Sequence, residues 1–429
     1  MISPEESTST PRRGERPKLP EEDMLLNPRP NLKHIPELDG LRAIAIGLVM
    51  VYHYWAYQGA DVFGQVVTAV ARRGWCGVDI FFVISGFLIT GILIDSRGKE
   101  RYWRRFYIRR SLRIFPLYYA VLVLLLLVAG LIRVLDIPLV DDSIANIDKI
   151  WLNFFYLTNF AMGLFGMTQI PLEITWSLAV EEQYYLVYPF VVRWANRRQL
   201  FWVLVSAVTA APLIRAVSYF VTGTSKSAYA LPFCRMDALA VGGLATLAVR
   251  YGAPMVTAWI GRCAVPLWAV AITVLGTYSR AHFEFMTVGY SATALATAAT
   301  IVRLQTGRDR WLVGLLRLRP LMFVGKVSYG LYLLHLFVRV AVDHGPVASL
   351  FSAHQTHLGV ALVRVTVLLG GAVLLAAISW YGFERPILRL KERWAPSPAS
   401  AARRSTADSR QTPQKQLRAD GVGNNPRSV

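Results

Sequence analysis

Long apolar runs alternate along this chain with short charged stretches. Most of the runs are close to the roughly 20 residues that an α-helix needs to cross a bilayer, so each predicts a membrane-spanning helix. We therefore predict an all-α, polytopic membrane protein with about ten spans, the sixth of them short. The predicted spans are residues 41–58, 76–95, 113–133, 178–195, 200–220, 236–250, 263–279, 285–303, 322–342 and 358–382.

One further apolar segment, Ile150–Gly166, has two interpretations. It contains Asn153 and Asn159, which are costly in lipid. It is either an extra span or a re-entrant or interfacial piece, and we prefer the second. An extra span would move the arginine-rich loops near residues 193–198 and 308–319 to the outer side, against the positive-inside rule.

Loop charge predicts the orientation of the chain. Basic residues are concentrated in the loops after the second, fourth and eighth spans, whereas the intervening loops are poorer in them. Positive loops remain in the cytoplasm, so both termini are predicted to be cytoplasmic. The first span then runs from inside to outside, and we expect the chain in the bacterial inner (plasma) membrane.

Composition does not identify a function, but it argues against several classes of protein. The 429 residues are 54% hydrophobic and carry a formal charge of +19. Nucleic-acid binding is one explanation for such a charge, but the cations lie in loops between spans, so we expect no nucleic acid. Three isolated cysteines, Cys76, Cys234 and Cys263, indicate neither a metal site nor a disulfide framework.

Both ends of the chain are polar. Residues 1–33 are rich in proline, and residues 391–429 are rich in serine, alanine and arginine. We predict disordered tails there, the second of them basic, flanking a transmembrane domain at residues 34–390.

The first span contains an ionisable pair. Arg42 lies near its start and His53 lies eleven residues later. Eleven residues are about three helical turns, so the two side chains share one face roughly 16 Å apart. An ionisable residue at membrane depth indicates a functional site. The alternatives are an interfacial anchor for Arg42 and, for His53, an imidazole bonded to a neighbouring helix.

Other polar residues stand out in the predicted spans. Arg110 and Arg113 share a helical face and suit phosphate binding, although topology charge alone also explains them. Glu181 lies at the start of the fourth span, where it serves either a substrate or a helix cap. A polar stripe on the ninth span should face the bundle interior. The remaining candidates are Asp39, which can pair with Arg42, the small Ser85 beside Gly86, and the stripe Ser328, Tyr332 and His335.

Taken in order, six motifs resemble acyltransferase family 3. They are DGLRAIAIGLVMVYH (39–53), GVDIFFVISGFLIT (77–90), RRSLRIFPLYY (109–119), TWSLAVEEQYYL (175–186), SYGLYLLH (328–335) and FERP (383–386). Each is weak alone, but the ordered set is specific and covers nearly the whole membrane region.

The resemblance implies an acyl-CoA-dependent O-acyltransferase. An acyl group, usually acetyl, would pass from cytoplasmic acyl-CoA to a hydroxyl of an extracytoplasmic glycan, with acyl-CoA as co-substrate and no bound cofactor. The resemblance implies two catalytic residues, His53 and Glu181, of which His53 is essential for transfer. The family's arginines fall on Arg42, Arg110 and Arg113, which would hold the phosphates.

Several alternatives stay open. His53 can act as a general base or carry the acyl group transiently. The acceptor can be a secondary metabolite such as a macrolide. A transporter or a non-catalytic scaffold would use the same polar residues differently, although no internal repeat of the kind found in many transporters is visible. Acyl chain length and oligomeric state leave no mark in the sequence.

Overall fold

The computed structural model describes residues 35–135, 146–278, 282–307 and 309–394, and the described residues are helices joined by turns. The predicted tails lie outside these residues, except that Lys391–Trp394 form a helical turn. Two π-helical turns, Phe285–Gly289 and Trp380–Glu384, extend longer helices. The α-helices are α1 (Pro36–Tyr54), α2 (Val62–Ala71), α3 (Gly77–Ser96), α4 (Tyr102–Val134), α5 (Trp151–Phe154), α6 (Thr158–Phe165), α7 (Trp176–Trp194), α8 (Arg197–Thr222), α9 (Ser225–Ala230), α10 (Pro232–Tyr251), α11 (Pro254–Arg262), α12 (Ala264–Thr277), α13 (Tyr290–Gln305), α14 (Arg310–Leu316), α15 (Arg319–Lys326), α16 (Ser328–Asp343), α17 (Ala348–Ser352), α18 (Leu358–Ser379), α19 (Arg385–Arg389) and α20 (Lys391–Trp394).

The all-α, polytopic membrane fold is confirmed. Within the described ranges, seven helical segments are long and apolar enough to cross a membrane, and α15 with α16 makes an eighth if the bent pair counts as one span. The first and fourth predicted spans fall on α1 and α7, which are long enough at 19 residues each. Each carries three charged side chains, which is why these two helices look less apolar than the rest.

Three predicted spans differ from the helices observed. The third begins earlier, because α4 has 33 residues and already contains Arg110 and Arg113; arginine is a good helix former. The sixth is not short, because α10 starts at Pro232 and has 20 residues. The ninth is not continuous: α15 and α16 meet at an angle of 78°.

The segment Ile150–Gly166 is not an extra span. It contains the four-residue α5 and the eight-residue α6, and a helix of eight residues is only about 12 Å long. Asn153 is fully buried and donates from its amide to the carbonyl oxygen of Pro171 at 2.7 Å. The preference against a spanning helix is therefore confirmed.

Two glycines let α3 and α10 pack backbone to backbone. A Cβ on Gly86 would overlap the carbonyl oxygen of Leu239, and a Cβ on Gly242 would overlap that of Val83. Helix interfaces in membranes favour small residues for this reason. The close packing suggested by Gly86 is confirmed, and it holds the adjacent Ser85 beside α7.

Buried ion pairs connect α10 to two neighbours. Arg215 of α8 donates to Asp237 at 2.9 Å, and Arg235 donates to Asp79 of α3. All four side chains are at most 1% exposed. A buried charge that loses its partner is strongly destabilising, so these pairs fix which helices lie next to α10. Arg215, Arg235 and Asp237 were not singled out in the sequence, although charged residues in or beside apolar runs were the available signal.

Candidate active site

The three arginines predicted to bind phosphate line one cavity. Arg42 reaches it from α1, and Arg110 and Arg113 reach it from α4. The cavity has a volume of about 710 Å³ including its open mouth, and we call it the arginine cavity. Among the described residues that line it, Glu181 is the one carboxylate. Three guanidiniums facing one carboxylate leave an excess of positive charge, which suits an anionic ligand. Interfacial anchoring of Arg42 and topology charge alone do not explain this convergence.

Glu181 is held in place by two hydroxyl groups. The Ser85 hydroxyl donates to its Oε1 at 2.8 Å, and the Tyr185 hydroxyl donates to its Oε2 at 2.6 Å. The Arg110 guanidinium lies 4.0 Å from the centre of the Tyr185 ring, a cation–π contact. Glu181 therefore belongs to a network that orients Arg110. It does not cap α7, which begins five residues earlier at Trp176.

Asp39 joins the site through Arg42. One Arg42 nitrogen lies 3.5 Å from an Asp39 carboxylate oxygen, as their spacing of three residues predicted. At that distance the contact is weak, so it orients Arg42 without neutralising the cavity.

The polar stripe on α16 faces the interior, as predicted. Ser328 and Tyr332 line the arginine cavity, and His335 is fully buried one turn further on. The Tyr332 hydroxyl donates to the carbonyl oxygen of Ile174. With that proton committed, the Ser177 hydroxyl must donate to the Tyr332 oxygen, 2.7 Å away.

His53 and His335 form a pair. Nδ1 of His53 lies 3.3 Å from Nε2 of His335, and the ring centres are 5.0 Å apart. Nδ1 of His53 is 2.9 Å from the carbonyl oxygen of Val49, and Nδ1 of His335 is 2.8 Å from that of Tyr332. A carbonyl oxygen only accepts, so each neutral ring carries its proton on Nδ1. The basic lone pair of His53 is then on Nε2.

His53 lines a second cavity, not the arginine cavity. We call this second space the outer cavity, because the predicted direction of the first span places His53 toward the outside. It is also lined by Arg339 and by aromatic side chains that include Trp55 and Trp75. Including its open part, its volume is about 1240 Å³. The structure thus separates His53 from the three arginines of the arginine cavity. His335 contacts the Tyr332 ring on one side and the His53 ring on the other.

Helices α1 and α16 each contribute to both cavities. On α1, Arg42 lines the arginine cavity and His53 lines the outer cavity. On α16, Tyr332 lines the arginine cavity and Arg339 lines the outer cavity. The Tyr54 hydroxyl donates to the carbonyl oxygen of His335 at 2.9 Å and ties the two helices together. Sequence reasoning missed Arg339 and Tyr185. Arg339 lies four residues after His335, so extending the polar stripe by one turn would have found it.

The helices, the arginine cavity and the histidine pair define a polytopic membrane protein with charged side chains gathered in its interior. The family profile described as an acyltransferase domain matches residues 35–382. The chain belongs to this family, acyltransferase family 3, as its motifs predicted. No solved structure matches the chain.

Curated relatives include membrane O-acetyltransferases. A putative peptidoglycan O-acetyltransferase, YrhL, of Bacillus subtilis is 30% identical over 381 residues, which are 83% of this chain and 55% of that protein. The O-acetyltransferase OatA of Staphylococcus aureus is 29% identical over 376 residues, 83% of this chain and 57% of that protein. The peptidoglycan O-acetyltransferase OatA of Listeria monocytogenes is 31% identical over 210 residues, 46% and 30% of the two chains. This chain thus spans little more than half the length of the longer matches.

Proposed function

We propose that this acyltransferase moves an acyl group, acetyl in the first instance, from cytoplasmic acyl-CoA to a hydroxyl of an extracytoplasmic glycan. One observation carries the proposal: His335 contacts both Tyr332, which lines the arginine cavity, and His53, which lines the outer cavity. The acetyltransferase relatives support acetyl as the group and a glycan as the acceptor.

The arginine cavity suits the phosphates of acyl-CoA. These phosphates lie at one end of the molecule and the thioester lies at the far end of a long, uncharged arm. Arg42, Arg110 and Arg113 would hold the charged end, as guanidiniums commonly hold phosphate. The arm would pass Tyr332 and His335 and bring the thioester to His53.

His53 has the proton arrangement that transfer requires. With its proton on Nδ1, Nε2 can accept the proton of the acceptor hydroxyl. The hydroxyl oxygen then attacks the thioester carbon, the carbon–sulfur bond breaks, and the CoA sulfur leaves as thiolate and takes up the proton. In the alternative route Nε2 attacks first and carries the acyl group before the hydroxyl removes it.

Orientation follows from loop charge. The arginine cavity would open to the cytoplasm, where acyl-CoA is made, and the outer cavity would open to the other side of the inner membrane. One site would then join two compartments while CoA stays in the first.

The test is thioester consumption by the full chain in nanodiscs, with acetyl-CoA and soluble peptidoglycan fragments. We expect acceptor-dependent CoA release from the native protein and its loss in His53→Ala. His354→Ala removes an exposed histidine that lines neither cavity, and should not reduce the rate. Equal CoA release by native protein and His53→Ala would refute catalysis by His53. Transport across vesicle membranes, either of acetyl-CoA with its thioester intact or of the fragments, would indicate a transporter.

A further inference from the structure

The outer cavity is basic as well as aromatic. Arg72, Arg73 and Arg339 line it beside His53, and no carboxylate is among its described lining residues. If this cavity faces outward, as the proposed function requires, its three arginines lie on the side where the positive-inside rule makes them scarce. Topology therefore does not explain them, whereas a negatively charged ligand does.

Arg73 is rigidly held, and its side-chain partners among the described residues are carbonyl groups rather than carboxylates. Its Nε donates to the carbonyl oxygen of Leu275 at 2.6 Å, Nη2 to that of Gly276 at 3.0 Å and Nη1 to that of Ala69 at 2.7 Å. Three neutral carbonyls fix the guanidinium and leave its full charge in place. Arg73 therefore gives the cavity wall a fixed positive charge.

Arg339 is only partly neutralised and reaches the level of His53. Its Nη1 donates to the carbonyl oxygen of His53 at 3.3 Å, and its Nε donates to Asp343 at 3.3 Å. Asp343 also accepts from Arg364 at 2.5 Å, so a single carboxylate is shared by two guanidiniums. An anion bound by Arg339 would thus lie next to the imidazole that accepts the hydroxyl proton.

The aromatic walls suit a sugar ring. Trp55 is fixed by the bond from its Nε1 to the Thr68 hydroxyl at 2.9 Å, and the Tyr52 ring meets the His53 ring edge-on at 5.0 Å. Trp75 and Tyr278 complete these walls. The apolar C–H faces of sugars pack on such rings, while a few polar groups fix their orientation.

We propose that the outer cavity binds an acidic saccharide, with its carboxylate or phosphate held by Arg72 and Arg339 and a neighbouring hydroxyl placed at His53. This names the class of acceptor for the proposed function and rests on it. Arg73 supplies fixed charge, and the aromatic rings select the sugar.

Binding is measured without turnover, by isothermal titration of the full chain in nanodiscs. The probes are tetragalacturonate and its methyl ester, which share one sugar chain but differ in charge, and glucose 6-phosphate with glucose. We expect at least one acidic probe to bind tenfold or more tightly than its neutral partner. Equal affinity within both pairs, or no binding of any probe, overturns the proposal. Inorganic phosphate that binds as tightly as the best acidic sugar overturns the saccharide part.

Variants locate the site. Arg72→Gln and Arg339→Gln should each remove most of the preference for the acidic probe, and Arg339→Lys should retain part of it. Arg133→Gln is the control. It removes an exposed arginine from the last turn of α4 that lines neither cavity, and it should leave the preference for the acidic probe intact. Unchanged preference in both glutamine variants overturns the assignment.

CoA is itself an anion and provides a decisive control. If the acidic sugar occupies the outer cavity, CoA in the arginine cavity should not displace it, and Arg113→Gln should not weaken it. Displacement by CoA would mean that one anion site serves both and would overturn the proposal. Charge-selective binding without thioester consumption would instead refute the proposed transfer and leave the acidic-sugar site standing.

Discussion

Replacing Arg113 by glutamine separates a ligand-binding role from a structural one. Arg113 lines the arginine cavity, and Arg42 and Arg110 are close enough to act on it electrostatically. In the empty protein these like charges repel each other. Removing one of them should therefore weaken binding of an anion without weakening the fold.

The size of the effect follows from the lost contact. A hydrogen bond to a charged group contributes about 1.5–3 kcal/mol, and each 1.4 kcal/mol is roughly tenfold in affinity. The dissociation constant for CoA should therefore rise roughly 10- to 150-fold in Arg113→Gln. The midpoint of thermal unfolding without ligand should stay the same or rise, because repulsion with Arg42 and Arg110 is relieved.

The assay is titration of CoA into the full chain in nanodiscs at low ionic strength, paired with thermal unfolding of the same samples. Arg104→Gln is the matched control, because Arg104 is an exposed arginine on the first turn of the same helix and lines neither cavity. It should leave both quantities unchanged. A lowered unfolding midpoint with unchanged CoA affinity in Arg113→Gln would show that the arginines serve the fold and would refute the phosphate role.

Two further predictions concern the histidine pair and the helix packing. His335→Ala should lower kcat by as much as roughly 10²-fold with little change in KM, because His53 loses the ring beside its Nδ1 and is free to shift; a change confined to KM would contradict this. Gly86→Ala should lower the thermal midpoint, since its methyl group overlaps the Leu239 carbonyl oxygen, at a cost of about 1–3 kcal/mol or more. Gly47→Ala is the control: it meets no atom within 4 Å and should stabilise α1 slightly, so an equal loss in both variants would point to glycine content rather than packing.

Some features of the site were predictable because they are local. The spacing of Arg42 and His53, of Arg110 and Arg113, and of the stripe on α16 is set within one helix, where residues three or four apart share a face. The convergence of the arginines on one cavity with Glu181 agrees with the family motifs. The roles assigned to these residues stay predictions until the variants are measured.

Other features depended on contacts between distant helices. His53 shares a helix face with Arg42 but lines a different cavity, and there it contacts His335 from the distant helix α16. Hydropathy did not predict the bend between α15 and α16, because the segments on both sides of the bend are apolar. The shift of Arg110 from a predicted loop into α4 has the same origin: charge suggested a loop, but helix propensity and packing on Tyr185 prevailed.

The sequence by itself determined the class of protein and the identity of most candidate residues. Lipid offers no hydrogen bonds to the backbone, so apolar runs of this length must be helices, and side-chain period within a helix is fixed by its geometry. Only the tertiary structure decided which helices meet, because that depends on small residues and buried charges finding partners far along the chain. The close approach of Gly86 to Leu239 and the ion pair of Arg235 with Asp79 are two such contacts.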